Sequence, residues 1–155
     1  MTYNLRTVSV LMISIYFVFA AMAAEKKLNK ADLPTPVQKT AEEQSKGATV
    51  LGYSSDREGG KLEYEIQLSV DGHTKDVTMA PDGRVLEVEE QVSMDKLPTP
   101  VKAGLLAKAG KGTIRKVESL TKHGAIVAYE AQVYTAGKHS EVQVGPDGKP
   151  LNHEE

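Results

Sequence analysis

The sequence predicts an α+β fold: two tandem helix-plus-four-strand antiparallel repeats forming a two-layer body, with the helices on one face of a roughly eight-stranded sheet. Three observations carry this. The pentapeptide LPTPV stands at Leu33–Val37 and again at Leu97–Val101, 64 positions later. Downstream the self-similarity continues, with one residue inserted in the second copy: Leu62–Gly72 falls on Val127–Gly137, and Ala80–Glu90 falls on Gly145–Glu155. Matching at a fixed offset marks a duplicated fold unit. Finally, each copy passes from apolar residues at helical spacing to strict alternation, which is the change from helix to half-buried strand.

Residues 1–23 precede the repeats and are expected to be a cleavable signal peptide. Arg6 is followed by an apolar run from Val8 to Ala20, and Ala21-Met22-Ala23 fits the A-x-A cleavage pattern. The run is shorter than the ~20 residues that span a bilayer. An uncleaved N-terminal anchor is the competing reading. Repeat 1 is then placed at 28–90 and repeat 2 at 93–155, in a periplasmic or secreted protein.

Each repeat opens with a helix. Leu33, Val37 and Ala41 recur every four residues, as do Leu97, Val101 and Leu105. The prolines fit the first turn, where backbone N–H groups lack intrahelical partners. Thr35 and Thr99 are candidate N-caps, Thr35 with Gln38 at the capping-box position; Asp32 and Asp95 offer a slightly earlier start. Gly47 and Gly110 are the expected stops.

The remainder of each repeat reads as strands. Leu62, Tyr64, Ile66, Leu68 and Val70 alternate with Glu63, Glu65, Gln67 and Ser69, and Val127, Tyr129, Ala131 and Val133 repeat the inward set. Turn sequences separate the strands, among them Asp71-Gly72, Pro81-Asp82-Gly83, His123-Gly124 and Pro146-Asp147-Gly148. Short turns between alternating strands imply a meander. A unit of about 60 residues with no disulfide or metal is marginal alone. The two sheets are therefore expected to join edge to edge in one body. Pro150 makes the last strand a poor one, because it lacks a ladder donor.

Composition excludes several functions. The chain has no Cys, hence no disulfide, thiolate metal site or lipid-bearing cysteine. Loss of Arg6 with the leader leaves 18 of the 19 basic residues against 21 acidic ones, a net charge of −3 that does not suggest nucleic acid. Beyond the leader there is no Phe or Trp, so no stacking platform for bases can be built.

The order of motifs resembles the PepSY-like family of exported bacterial proteins. In the first repeat these are Leu33-Pro34 with Val37, Tyr64-Glu65 and Pro81-Asp82-Gly83. In the second they are Leu97-Pro98 with Val101, Tyr129-Glu130 and Pro146-Asp147-Gly148. That family is similar in architecture to the beta-lactamase inhibitor protein, in which two such repeats present a concave sheet to an enzyme. The resemblance implies a binding module. It does not transfer the inhibitor's contact residues, and this chain lacks that inhibitor's disulfides.

No G-x-S-x-G, H-E-x-x-H or nucleophilic cysteine is present, and no enzyme activity or cofactor is expected. Gly110-Lys111-Gly112 lacks the third glycine of a dinucleotide loop, with Arg115 in its place. His123 and His139 are expected at opposite ends of the meander, too far apart to share an ion. Asp82-Gly83 and Asp147-Gly148 lack the further ligands of a calcium loop.

The remaining candidate is the sheet face opposite the helices. Glu63, Glu65, Gln67, Glu130, Gln132, Tyr134 and Glu141 form the expected protein-binding face, with Ala128, Asp76, Thr78, Glu87, Glu89 and Gln143 beside them. The expected partner is a basic protein or peptide segment docking near Tyr134, with no nucleic acid and no membrane after signal cleavage. The plain alternative is a solvated face that is polar by default. A different functional alternative is an acidic, cation-responsive envelope protein that collects calcium or another divalent ion loosely.

Overall fold

The computed structural model describes residues 25–155; the expected signal peptide lies outside the described residues. A short strand β1 (Lys26–Leu28) and a 3-10 turn (Lys30–Asp32) lead into helix α1 (Thr35–Gln44). Four strands follow: β2 (Thr49–Glu58), β3 (Lys61–Val70), β4 (His73–Met79) and β5 (Val85–Gln91). A second 3-10 turn (Met94–Lys96) and helix α2 (Thr99–Ala109) precede β6 (Thr113–Lys122), β7 (Ala125–Thr135) and β8 (Lys138–Val144). The strands form one antiparallel sheet of eight in chain order.

The halves join where β5 pairs with β6, from Glu87 opposite Lys122 to Gln91 opposite Glu118. The backbone N–H of Val92 extends the ladder by donating to Val117 O at 2.9 Å. Both helices cover the same face. Under α1, Leu33, Val37 and Ala41 pack on Ile66, Leu68, Val77 and Met79. Under α2, Leu97, Val101 and Leu105 pack on Val117, Tyr129, Ala131, Val133 and Val144. Each fully buried side chain of this size contributes ~1.5–3 kcal/mol. Two modest clusters on one continuous sheet thus replace the single large core that neither repeat could build.

Three details differ from the sequence expectation. The second repeat has three strands and a bridge between Val144 and Pro150, because proline cannot donate to the ladder; β1, pairing with β2, brings the total to eight. Neither threonine caps its helix. Pro34 and Pro98 hold the N-cap positions in extended conformation, and the Gln38 side-chain amide donates to Leu33 O at 2.8 Å. Asp32 instead serves the 3-10 turn, accepting from Asn29 N at 2.8 Å. Gly110 caps α2 as expected, whereas α1 ends at Gln44, with Gly47 further on.

Candidate functional site

The strand register lays out the face opposite the helices in rows. One row runs Ser54, Glu65, Thr78, Glu87, Lys122 across β2 to β6. The next runs Gln67, Asp76, Glu89, Leu120, Ala128, and a third runs Gln91, Glu118, Glu130, Gln143. Two of these neighbouring pairs, Asp76–Glu89 and Glu118–Glu130, set like charges directly opposite each other. Such pairs destabilise a sheet unless something offsets them.

The offsets are specific. Lys122 Nζ lies 3.1 Å from Glu87 Oε2 and 3.7 Å from Glu155 Oε2. Gln143 donates through Nε2 to Glu130 Oε2 at 2.8 Å, and Gln67 donates to Glu65 Oε1 at 2.9 Å. Lys116 Nζ stands 2.6 Å from Glu118 Oε1, but this oxygen accepts no hydrogen bond. The contact is therefore one of charge, outside hydrogen-bond geometry. Burial, more than any neighbour, pushes the carboxyls of Glu63, Glu65, Asp76 and Glu130 above their ordinary values. Glu89 is pushed up to about 8 by burial, a hydrogen bond shared with Glu87, and the charges of Glu118, Glu87 and Glu130.

This face is concave. A trough of about 810 Å³ is lined from Ser54 on β2 to Glu141 on β8, with Glu63, Glu65, Glu87 and Glu89 between. One hollow bordered by strands near opposite edges requires the sheet to curl, as twisted sheets do. The curl shelters side chains that a flat face would expose: Glu118 is 3% exposed, Leu120 2% and Gln143 5%. Carboxylates held in such a hollow attract cations more strongly than carboxylates on an open surface, because less water screens them.

Of the residues expected on this face, Glu63, Glu65 and Glu141 line the trough. Gln67 braces Glu65, and Glu130 is braced by Gln143. Gln132 sits opposite Glu141 and borders a shallower hollow with His139 and Ser140. Tyr134 lies further along β7, opposite His139, with the Arg115 guanidinium 5.5 Å from its ring centre and the His139 ring at 5.0 Å. The ring thus stands among its own neighbours beside the trough rather than at its centre. His123 borders the trough at the β6–β7 turn, while His139 is the second residue of β8.

Sequence reasoning missed Lys116, Glu118 and Lys122, all on β6. The alternation of that strand is broken by bulges between Ile114 and Lys116 and between Leu120 and Thr121. Its outward side also carries Leu120, so no clean polar period shows. The signal available was the repeat itself, whose offset pairs the first strand of each copy.

No family model matches the chain, and no curated protein matches it. Solved structures do. A Bacteroides eggerthii protein, provisionally described as periplasmic, matches with a TM-score of 0.63 at 17% identity, covering 77% of this chain and 86% of its own. A DUF2874 family protein from Bacteroides ovatus matches at 0.60 and 18% identity, with 77% and 85% coverage. A BLIP-like protein from Bacteroides fragilis matches at 0.58 and 17% identity, with 79% and 85% coverage. The chain has the α+β fold of these proteins, including the BLIP-like one.

Proposed function

We propose that the chain is an exported, non-catalytic protein-binding module of the PepSY-like kind, whose concave face receives a basic segment of a periplasmic or secreted enzyme and restrains or regulates it. The observation that carries this reading is the trough itself: carboxylates from both halves converge on one hollow of about 810 Å³. A hollow rich in one sign of charge concentrates partners of the other sign and speeds their encounter. The BLIP-like fold of the B. fragilis neighbour and the leader-like residues 1–23 support export and binding. Aromatic anchors are scarce, since the chain beyond the leader has only Tyr53, Tyr64, Tyr129 and Tyr134. Interfaces without such anchors are weaker than those built on them.

The test is titration of a labelled lysine-rich peptide against the mature chain in chelating buffer at low and high salt. Binding is expected at low ionic strength and should weaken as salt screens the charges. The Glu65→Gln/Glu87→Gln double variant should bind several-fold more weakly. Absence of binding by the wild type, or equal binding by the variant, would overturn the reading.

A further inference from the structure

We infer that the open edge of β8 pairs antiparallel with the same edge of a second copy of this chain, about a twofold axis through Ser140. Strand β8 is the last in the sheet. Its far end is already covered. Val144 bridges Pro150, Gly145 N donates to Lys149 O at 2.8 Å, and Lys108 Nζ donates to Gln143 O at 2.9 Å. This leaves Lys138–Val142 open, with Ser140 at its midpoint, and Lys138, His139, Ser140 and Glu141 are exposed. An uncovered strand edge is a template for another strand. The opposite edge of the sheet is a poorer one, because β1 is short and carries Lys26 and Lys27, which self-pairing would set against their own copies.

The hairpin sets which backbone groups face outward. Its turn is Ala136-Gly137, both at positive φ (+48° and +85°), and Thr135 stands opposite Lys138. Such a two-residue turn is closed by a hydrogen-bonded pair, and pairs then alternate along an antiparallel ladder. His139 and Glu141 therefore turn their N–H and C=O groups away from β7. The outward bond of Gly145 N to Lys149 O has the same parity. With the axis at Ser140, His139 of each copy lies opposite Glu141 of the other, so every outward group in the open stretch gains a partner. The side chains match as well. His139 has a ring N–H for the facing carboxylate even when neutral. Arg115, 5.5 Å from the ring centre of Tyr134, keeps this corner positive, and the His139 ring is 5.0 Å from that same ring. Moving the axis to Glu141 would set that carboxylate against itself, which disfavours pairing. Moving it to His139 would run Glu141 against Gly137 in the turn. Opposite residues share a face of the sheet, so the two troughs would lie side by side on one continuous surface.

This pairing is independent of docking by a basic segment, and its test uses no peptide. So short an edge makes a small interface, and the association is weak and concentration-dependent. Sedimentation equilibrium of the mature chain should show an average mass that rises with concentration and levels at two copies. Glu141→Pro removes an outward donor at an edge position where proline is tolerated, and should hold the chain monomeric. Glu141→Lys should weaken the association several-fold, and Glu141→Lys/His139→Glu should restore it by exchanging the charges across the axis. Because the chain has no Cys, a single introduced one reports the register. At the axis, Ser140 meets its own copy as a non-hydrogen-bonded pair about 4.5 Å apart at Cα, within the range of a disulfide. Lys138 and its copy stand ~13 Å apart along the strand direction, beyond that range. Mild oxidation should therefore link Ser140→Cys into dimers much faster than Lys138→Cys, with circular dichroism confirming that each variant is folded. A wild type that stays monomeric at every concentration, equal cross-linking of the two cysteine variants, or growth beyond two copies would overturn the inference.

Discussion

A Cβ placed on Gly83 would lie 2.6 Å from the carbonyl oxygen of Pro36, so the Pro81-Asp82-Gly83 turn is seated directly on the first turn of α1. Gly148 meets Pro100 O in the same way in the second half, with even less room. Both glycines have positive φ, +84° and +78°. Thr40 Oγ1 donates to Gly83 O at 2.7 Å, and Gly104, 64 positions on from Thr40, lies against Gly148 O. The two most recognisable motifs of each repeat are thus two sides of one contact.

Gly83→Ala and Gly148→Ala should each be strongly destabilising. The left-handed conformation alone costs roughly 1–2 kcal/mol for a residue with Cβ, and the clash with backbone adds to it. Gly59→Ala has a positive φ but open space around it, so it should cost only the conformational part. Urea unfolding of the three variants checks this; a similar midpoint for all three would disprove the seated turn.

Acidification should stabilise the fold across the neutral range. Glu89 titrates near 8 in the folded chain, against an ordinary value of 4.5. The unfolded chain therefore binds fewer protons between those values. The contribution is fully present below about 4.5 and is lost as pH rises through about 8. The raised carboxyls of Glu65, Asp76 and Glu130 act with the same sign. Melting temperature should fall from pH 5 to pH 9 in chelating buffer, and Glu89→Gln should flatten that slope and be more stable than wild type at pH 9.

Lys116→Met should destabilise the chain, because Glu118 is then left buried without its counter-charge. A broken buried pair costs ~3–5 kcal/mol; the partial exposure of Lys116 reduces this to roughly 2 kcal/mol. The double variant Lys116→Met/Glu118→Gln should recover most of the loss. Denaturant melts of the four members of the cycle measure the coupling; simple additivity would exclude it.

Leu105→Ala should lower the stability of the whole sheet rather than of one half. Leu105 is fully buried under α2, and such truncations cost ~2–5 kcal/mol. Because β5 and β6 are hydrogen-bonded neighbours, the loss should appear as a single transition at lower denaturant. Two resolved transitions would show the repeats unfolding independently.

Much of this architecture was legible in the chain because it is written locally. LPTPV marked the helix starts, and the alternation in Leu62–Val70 predicted β3 with its faces correctly assigned. The less regular segments were harder to read. Pro150 warned of a weak last strand, but nothing local in Lys26–Leu28 announced β1, whose three residues become a strand only by pairing with β2. Thr35 looked like a cap by residue type, yet the extended backbone at Pro34 makes proline the boundary.

The candidate site divides in the same way. Alternation along β3 and β7 was enough to put Glu65 and Glu130 on the outward face, because a period of two is a property of the strand itself. The grouping of Asp76, Glu89 and Glu118 needed the register of three strands, including the β5–β6 pairing across the repeat boundary. Sequence by itself determined the repeated elements and which side chains of β3 and β7 face outward. The tertiary structure decided that this side curls into a trough, with Glu118 buried beside Lys116 and Glu89 holding a proton near neutrality. Curvature and cross-strand register arise only when distant segments pair, and they bring the carboxylates close enough to act on one another.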